Sequence, residues 1–405
     1  MKNIIIIALI SICTWSCGDN NAETLIASEA AVQIDSYPAE CPYLTKDSKG
    51  NAAMSWVRMI NDSMTAFCYA VSNDGKRFLT PIVIPNTANI QPHGENLPKI
   101  IFKPSGEIIA LYGIKNSSAR NKHAGKVFYT QSFDNGTNWT VPKPLVDDTS
   151  SYDQRYYDVA LLPNGEAGVI WLDNRRTEEI VGSAVYFTST NGKDGFVGNG
   201  NLISQPACQC CRTVLYVDKK GGIHALYRAI VQDSIRDMVH IVSTDWGKSF
   251  STSKRISEDN WVLNACPHTG PTMTENQNGI HFAWFTGGRS MGSYYTNSSD
   301  NGNSYSHRDS VSLKGSHPQI TSAANGDLLI VWDEMNMIGD KMGKRIGVQR
   351  RTAEGKALAK EYITADDSNA GFPVVSALNG SSFVVAYSVQ KEDHSFVSYQ
   401  IINLN

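Results

Sequence analysis

One unit recurs seven times along this chain, and a repeat of that kind leaves a sequence few ways to fold. The unit is a short apolar strand, a tight polar turn carrying glycine, and an alternating strand rich in Val, Ile, Trp and Tyr. It runs through residues 43–57, 97–112, 158–172, 213–227, 271–285, 319–332 and 374–387. The first four turns read Asp47-Ser48-Lys49-Gly50, Lys103-Pro104-Ser105-Gly106, Pro163-Asn164-Gly165 and Lys219-Lys220-Gly221-Gly222. Polar, glycine-bearing turns between alternating strands make hairpins. The hairpins start roughly 50–60 residues apart, the period of blades in a propeller. The spacing predicts one all-β domain over residues 24–405, a β-propeller of four-stranded antiparallel blades. Trp56, Trp171, Trp284 and Trp332 take equivalent second-strand places and are expected in the core.

A second signature follows most of the hairpins. Ser132-Phe133-Asp134-Asn135-Gly136-Thr137-Asn138-Trp139 fits the pattern Ser-x-Asp-x-Gly-x-Thr-Trp at nearly every place. Residues 243–250 and 298–305 are close copies, while 72–78 and 189–196 are worn ones. The aspartate can accept neighbouring backbone N–H groups, the glycine permits positive φ, and the aromatic plugs back into the blade. With these boxes in phase with the hairpins, the chain resembles the sialidase superfamily, the Asp-box (BNR-repeat) propellers. Sialidases have six blades, whereas seven hairpins here predict seven, with six as the alternative. The last hairpin is followed by one more strand only, so residues 24–35 are expected to supply its outer strand and close the ring.

The N-terminus carries an address. Lys2 precedes the apolar run 4–12, too short to span a membrane and of the length of a signal h-region. The run ends in Thr14-Trp15-Ser16-Cys17-Gly18, which resembles the lipobox of bacterial lipoproteins. The resemblance implies a signal peptide over 1–16, acylation of Cys17, a tether over 17–23 and a membrane partner reached through the lipid anchor. The expected location is the bacterial cell envelope, as an outer-membrane or periplasm-facing lipoprotein. The net charge of −3 gives no reason to expect nucleic acid as a partner, and a monomer is expected.

In each blade the first turn and the Asp-box lie on one face. The opposite face therefore collects the starts of first strands and the ends of second strands, and there the sequence stops resembling turn filler. The starts include Cys41, His93-Gly94-Glu95, Arg155-Tyr156, Cys208-Gln209-Cys210-Cys211-Arg212, Cys266-Pro267-His268 and His317. The second-strand ends add Asp173, Arg228, Arg289, Asp333 and Glu334. Loops around a propeller axis are where function sits, so this face is the candidate site.

Cys208, Cys210 and Cys211 open the fourth blade, and Cys266 with His268 opens the fifth, so the register makes them neighbours. Three readings stand. The first is one or two disulfides stapling the two blades, with Cys210 and Cys211 on opposite sides of a strand and unable to join each other. The second is a soft-metal site of thiolates and imidazole, with copper or zinc as the ion. The third is a nucleophilic cysteine with His268 as its base. Cys41 and Cys68 are expected to form a structural disulfide, with two separate packed thiols as the alternative. The stretch 335–345, with Met335, Met337 and Met342, reads as a loop over the site.

The superfamily resemblance also implies a glycan partner. Arg155, Arg212 and Arg289 are placed to converge on an acidic sugar, because the planar guanidinium fork pairs two carboxylate oxygens at once. His93, Glu95 and His317 join them as substrate-binding candidates, with Asp173, Asp333 and Glu334 as candidate acid/base groups. The Arg-Ile-Pro motif of sialidases is absent, and Ser36-Tyr37-Pro38 occupies its region. The chain further resembles uncharacterised exported Asp-box lipoproteins, through residues 171–175, 208–212 and 266–271. The functional expectation is an anchored sialidase-like propeller with a Cys/His site on its loop face. The alternatives are an exo-sialidase-like glycoside hydrolase acting on acidic glycans and a non-catalytic glycan- or protein-binding module.

Overall fold

The computed structural model describes residues 26–119, 121–147, 152–176 and 178–404. The leader, the tether and Cys17 lie outside the described residues. What is described forms seven antiparallel sheets, one per repeat, arranged as a seven-bladed propeller. The first blade is typical. Strands Ala39–Lys46, Ala52–Asn61, Met64–Val71 and Ile82–Val83 pair in sequence order. The later blades open with first strands Lys99–Phe102, Gln154–Leu161, Val214–Val217, Thr272–Asn276, Gly315–Ser322 and Ala370–Ala377. Seven is therefore the number, and the six-bladed alternative falls.

The seventh blade is closed by the N-terminal segment. Strand Ile26–Ser28 pairs with His394–Leu404, Ile26 opposite Leu404, and Val32–Gln33 pairs further along the same strand. Ile26 is buried, so the closure is apolar as well as hydrogen-bonded. The N-terminal segment thus becomes the outer strand of the last blade and ties the two ends of the ring together.

Two devices recur from blade to blade. The first is a clamp of tryptophan, carboxylate and arginine. Trp56 Nε1 donates to Asp35 (2.9 Å), which also takes Arg58 (2.7 Å). Trp171 and Arg175 meet on Asp173 (3.1 and 2.6 Å), and Trp284 and Arg308 on Asp259 (2.7 and 2.6 Å). Trp332 and Arg345 meet on Glu334 (3.2 and 3.0 Å). A buried indole N–H needs an acceptor, and each carboxylate supplies it while the arginine balances its charge.

The second device joins neighbouring blades. Gly136, Gly195, Gly247, Gly302 and Gly355 each lie so close to one ring of the preceding blade that a Cβ would overlap it. The rings are Tyr69, Tyr129, Phe187, His240 and Tyr295, all at the same third-strand position. At four of the boxes, and at Gly355 in the matching turn of blade six, the glycine is thus required for close approach as well as for its positive φ.

Residues 335–345 are not a loop. Strands Leu328–Ile338 and Lys341–Arg351 pair to their ends, Met337 opposite Met342, as a long hairpin with its methionines exposed. The register of the second and third strands simply continues past the sheet.

Candidate metal centre

The loop face is shaped by one bulge used four times. In blades one, three, six and seven the first strand slips register against the second, and a non-glycine residue at the slip has positive φ. These residues are Cys41, Tyr156, His317 and Phe372, with φ from 51° to 61°. Such bulges re-aim a side chain, and the left-handed conformation costs about 1–2 kcal/mol at a residue bearing a Cβ. The equivalent places in blades two, four and five are Leu97, Arg212 and Gly270, and there the chain is tied instead by Glu95. This buried carboxylate forms an ion pair with Arg212 and accepts the backbone N–H groups of Arg212 and Gly270. Arg212 also donates to the carbonyls of Pro271 (3.2 Å) and Pro318 (2.7 Å). Glu95 and Arg212 thus knot four blades together beside a small axial cavity of about 280 Å³.

The predicted meeting of blades four and five occurs. The donor atoms of Cys210, Cys266 and His268 all lie within 4.8 Å of one another. The sulfurs of Cys208, Cys210 and Cys211 form a second such group behind the first, so Cys210 belongs to both. Cys266 and His268 are exposed, and the other three cysteines are buried. A cavity of about 230 Å³ reaches Cys208 and Cys266 from the surface.

Two sequence expectations are corrected here. Cys210 and Cys211 are not on opposite sides of a strand, because residues 208–213 precede the strand Val214–Val217 and turn, bringing all three sulfurs together. All six cysteines of the described residues are free thiols. For Cys41 and Cys68 the reason is geometric. The strand Ala52–Asn61 lies between theirs, so the two backbones stand about 9–10 Å apart, beyond the reach of a disulfide.

The trio divides its protons unequally. The Cys208 and Cys210 sulfurs lie 3.8 Å apart, either able to donate, and hydrogen bonding with Cys210 and Cys211, with Arg228 and Arg236 nearby, lowers the Cys208 thiol. The hydrogen bond with Cys208 pushes Cys210 up, and burial pushes Cys211 up. The contacts within the trio thus favour the anionic form at Cys208 over the other two. Arg228 reinforces it, with Nε 3.4 Å from Cys211 Sγ. Its other donors are fixed on the carbonyls of Arg236, Thr269 and Phe285.

The histidines of three blades gather next to this group. The rings of His93 and His268 are 5.3 Å apart, and Tyr156 stands edge-on to His93. His93 Nδ1 accepts the Glu95 backbone N–H, so its neutral form carries the proton on Nε2. Burial, then His268, lower the His93 imidazole to about 4, so it is neutral at physiological pH. His317 pairs through Nδ1 with Asp333 (2.9 Å) and reaches the His268 carbonyl through Nε2 (3.2 Å). Burial would raise the Asp333 carboxyl, but His317, Lys344 at 3.0 Å and the Phe372 N–H outweigh it and hold it low.

The remaining candidates are dispersed. Asp173 and Glu334 are buried in the tryptophan clamps, leaving Asp333 as the acid that faces the histidines. Arg155 reaches the rim but is gripped by both oxygens of Asp153. Arg212 is buried on Glu95, and Arg289 stands on the exposed turn between Thr286 and Gly292 of blade five. The sequence reading passed over Lys344, which sits over the Phe372 ring. It lies on the third strand of blade six, Lys341–Arg351, away from the strand starts and second-strand ends.

No family model matches this sequence, and no curated protein does. Solved structures are similar in shape. A protein of unknown function from Dyadobacter fermentans superposes with a TM-score of 0.56 at 13% identity, covering 94% of this chain and 100% of that one. The polysaccharide lyase Uly1 gives 0.54 at 11% identity, over 92% and 91%. A mutant of the NanB sialidase of Streptococcus pneumoniae gives 0.50 at 10% identity, over 89% and 85%. The likeness is one of fold. Structurally the chain is a sialidase-like propeller, and its Cys/His cluster must be read from its own residues.

Proposed function

We propose that this protein is an exported Asp-box lipoprotein whose propeller binds a soft metal ion, copper(I) or zinc(II), at Cys210, Cys266 and His268. One observation carries the reading: two thiols and an imidazole, from the openings of two adjacent blades, lie within 4.8 Å of one another. Thiolate and imidazole are the donors that copper(I) and zinc prefer, and the cavity beside Cys266 provides an entry path. The apolar run 4–12 and the cysteine at 17 support export and anchoring at the cell envelope.

The test is elemental analysis of the full chain purified anaerobically without chelators, alongside a count of reactive thiols. Bound copper or zinc in stoichiometric amount is expected, falling at least tenfold in Cys266→Ser and His268→Ala. Metal-free protein with Cys210 and Cys266 joined in a disulfide would overturn the reading.

A second reading places an acidic glycan on the same face. It is favoured by His317 and Lys344 meeting on Asp333, with His268 and His93 next to them, and by the sialidase and polysaccharide lyase among the similar folds. A screen of sialosides and uronate glycans, read for cleavage and for binding, decides it. Silence in both readouts removes it.

A further inference from the structure

We infer that the loop face holds a pair of soft metal ions rather than one, with the Cys210 sulfur as a thiolate bridge. The inference rests on the metal-binding reading above and deepens it. The outer ion would take Cys210, Cys266 and His268, and the inner one Cys208, Cys210 and Cys211. Two three-donor groups sharing one sulfur are already present, and each is compact enough for its own ion. A single ion near Cys210, Cys266 and His268 would leave Cys208 and Cys211 unused behind it.

An independent observation points to anionic sulfur at the inner position. Arg228 is 2% exposed, yet among the described residues no carboxylate lies within ion-pair distance of it. The other two deeply buried arginines have one, Arg212 on Glu95 and Arg351 on Asp309. A buried guanidinium without a counter-charge is costly. Its contacts are three carbonyls, the Trp261 ring and the Cys211 sulfur. The sulfur group is therefore the partner that balances Arg228, and Arg228 in turn orients Cys211, as outer partners of metal ligands do.

Charge and coordination favour copper(I) in the pair. Structural zinc takes four donors in a tetrahedron, whereas each group here offers three, and soft thiolates select copper(I). Four thiolates around two monovalent ions leave a net negative cluster, the state that Arg228 stabilises. Binding releases protons from the thiols that are still protonated and involves no change of oxidation state.

The experiment is an anaerobic titration of the full chain with copper(I), delivered from a chromophoric chelator complex, together with X-ray absorption at the copper edge. The wild type is expected to take two equivalents and to show copper–copper scattering. Cys208→Ser and Cys211→Ser should each take one equivalent and lose that scattering, while His268→Ala weakens the outer ion alone. One equivalent in the wild type with no copper–copper scattering overturns the pair but leaves the metal-binding reading standing. No bound copper or zinc at all overturns both. The scattering measurement needs no variant, so a substitution that fails to fold does not shield the inference.

Discussion

At the scale of single residues, Arg212 and Glu95 show how a polar residue at a propeller mouth can look like a ligand and be a fastener. The place of Arg212 at a strand start is one that a substrate arginine would occupy. Its guanidinium is instead used up on one carboxylate and two carbonyls, under the rim rather than on it. Removing it leaves Glu95 charged and buried, and breaking one side of such a pair costs about 3–5 kcal/mol. Arg212→Met is therefore expected to lower unfolding stability by about that amount in urea denaturation, with metal content per folded molecule unchanged. Asp173 and Glu334 carry the same lesson. Each sits two residues after a tryptophan, a spacing that reads equally well as catalysis or as a clamp until the indole N–H is seen donating to it.

At the scale of elements, the unit that matters is the contact between one blade's Asp-box glycine and the ring of the blade before it. His240 is the ring at one of those contacts. It also accepts or donates to His224 (2.9 Å) and Tyr305 (3.0 Å), and His224 pairs with Asp218 (2.9 Å). Burial, then His224, depress the His240 imidazole to about 3, whereas its ordinary value is 6.5. A histidine with a depressed folded value contributes fully above 6.5, where neither state binds the proton. As pH falls from 6.5 towards 3 the unfolded chain is protonated first, and stability drops by about 1.4 kcal/mol per pH unit from this residue. His240→Phe, which copies Phe187 at the equivalent place, should flatten that slope. It should also lower stability above pH 7, because His224 and Tyr305 lose a partner. Chemical denaturation across pH 4–8 checks both effects.

At the scale of the whole molecule, the fold is a ring that must be closed, and the closure joins the two ends of the described chain. Ile26 sits opposite Leu404 and packs into the core shared by the sixth and seventh blades. Ile26→Ala is expected to cost about 2–5 kcal/mol, the range for truncating a buried isoleucine. Proteolysis is then expected to begin at the strand His394–Leu404, whose outer edge this segment covers. An unchanged unfolding midpoint with the same digestion pattern would show that the ring is closed without it. The same ring geometry makes the site: Cys210 and His268, 58 positions apart, become neighbours only because successive blades begin at a common mouth.

The sequence by itself determined the repeats, the number of blades, the N-terminal closure and the face on which Cys210, Cys266 and His268 meet. Those follow from periodicity, since apolar strands and glycine turns at a fixed spacing can bury their surface only by stacking radially. Tertiary structure decided what each polar group does. The turn at 208–213 that gathers three sulfurs, the pairing of Arg212 with Glu95 and the solitary charge of Arg228 depend on which groups are left facing one another after the blades pack. Hydrogen-bond partners of that kind are set by distances between blades, which no spacing along the chain encodes.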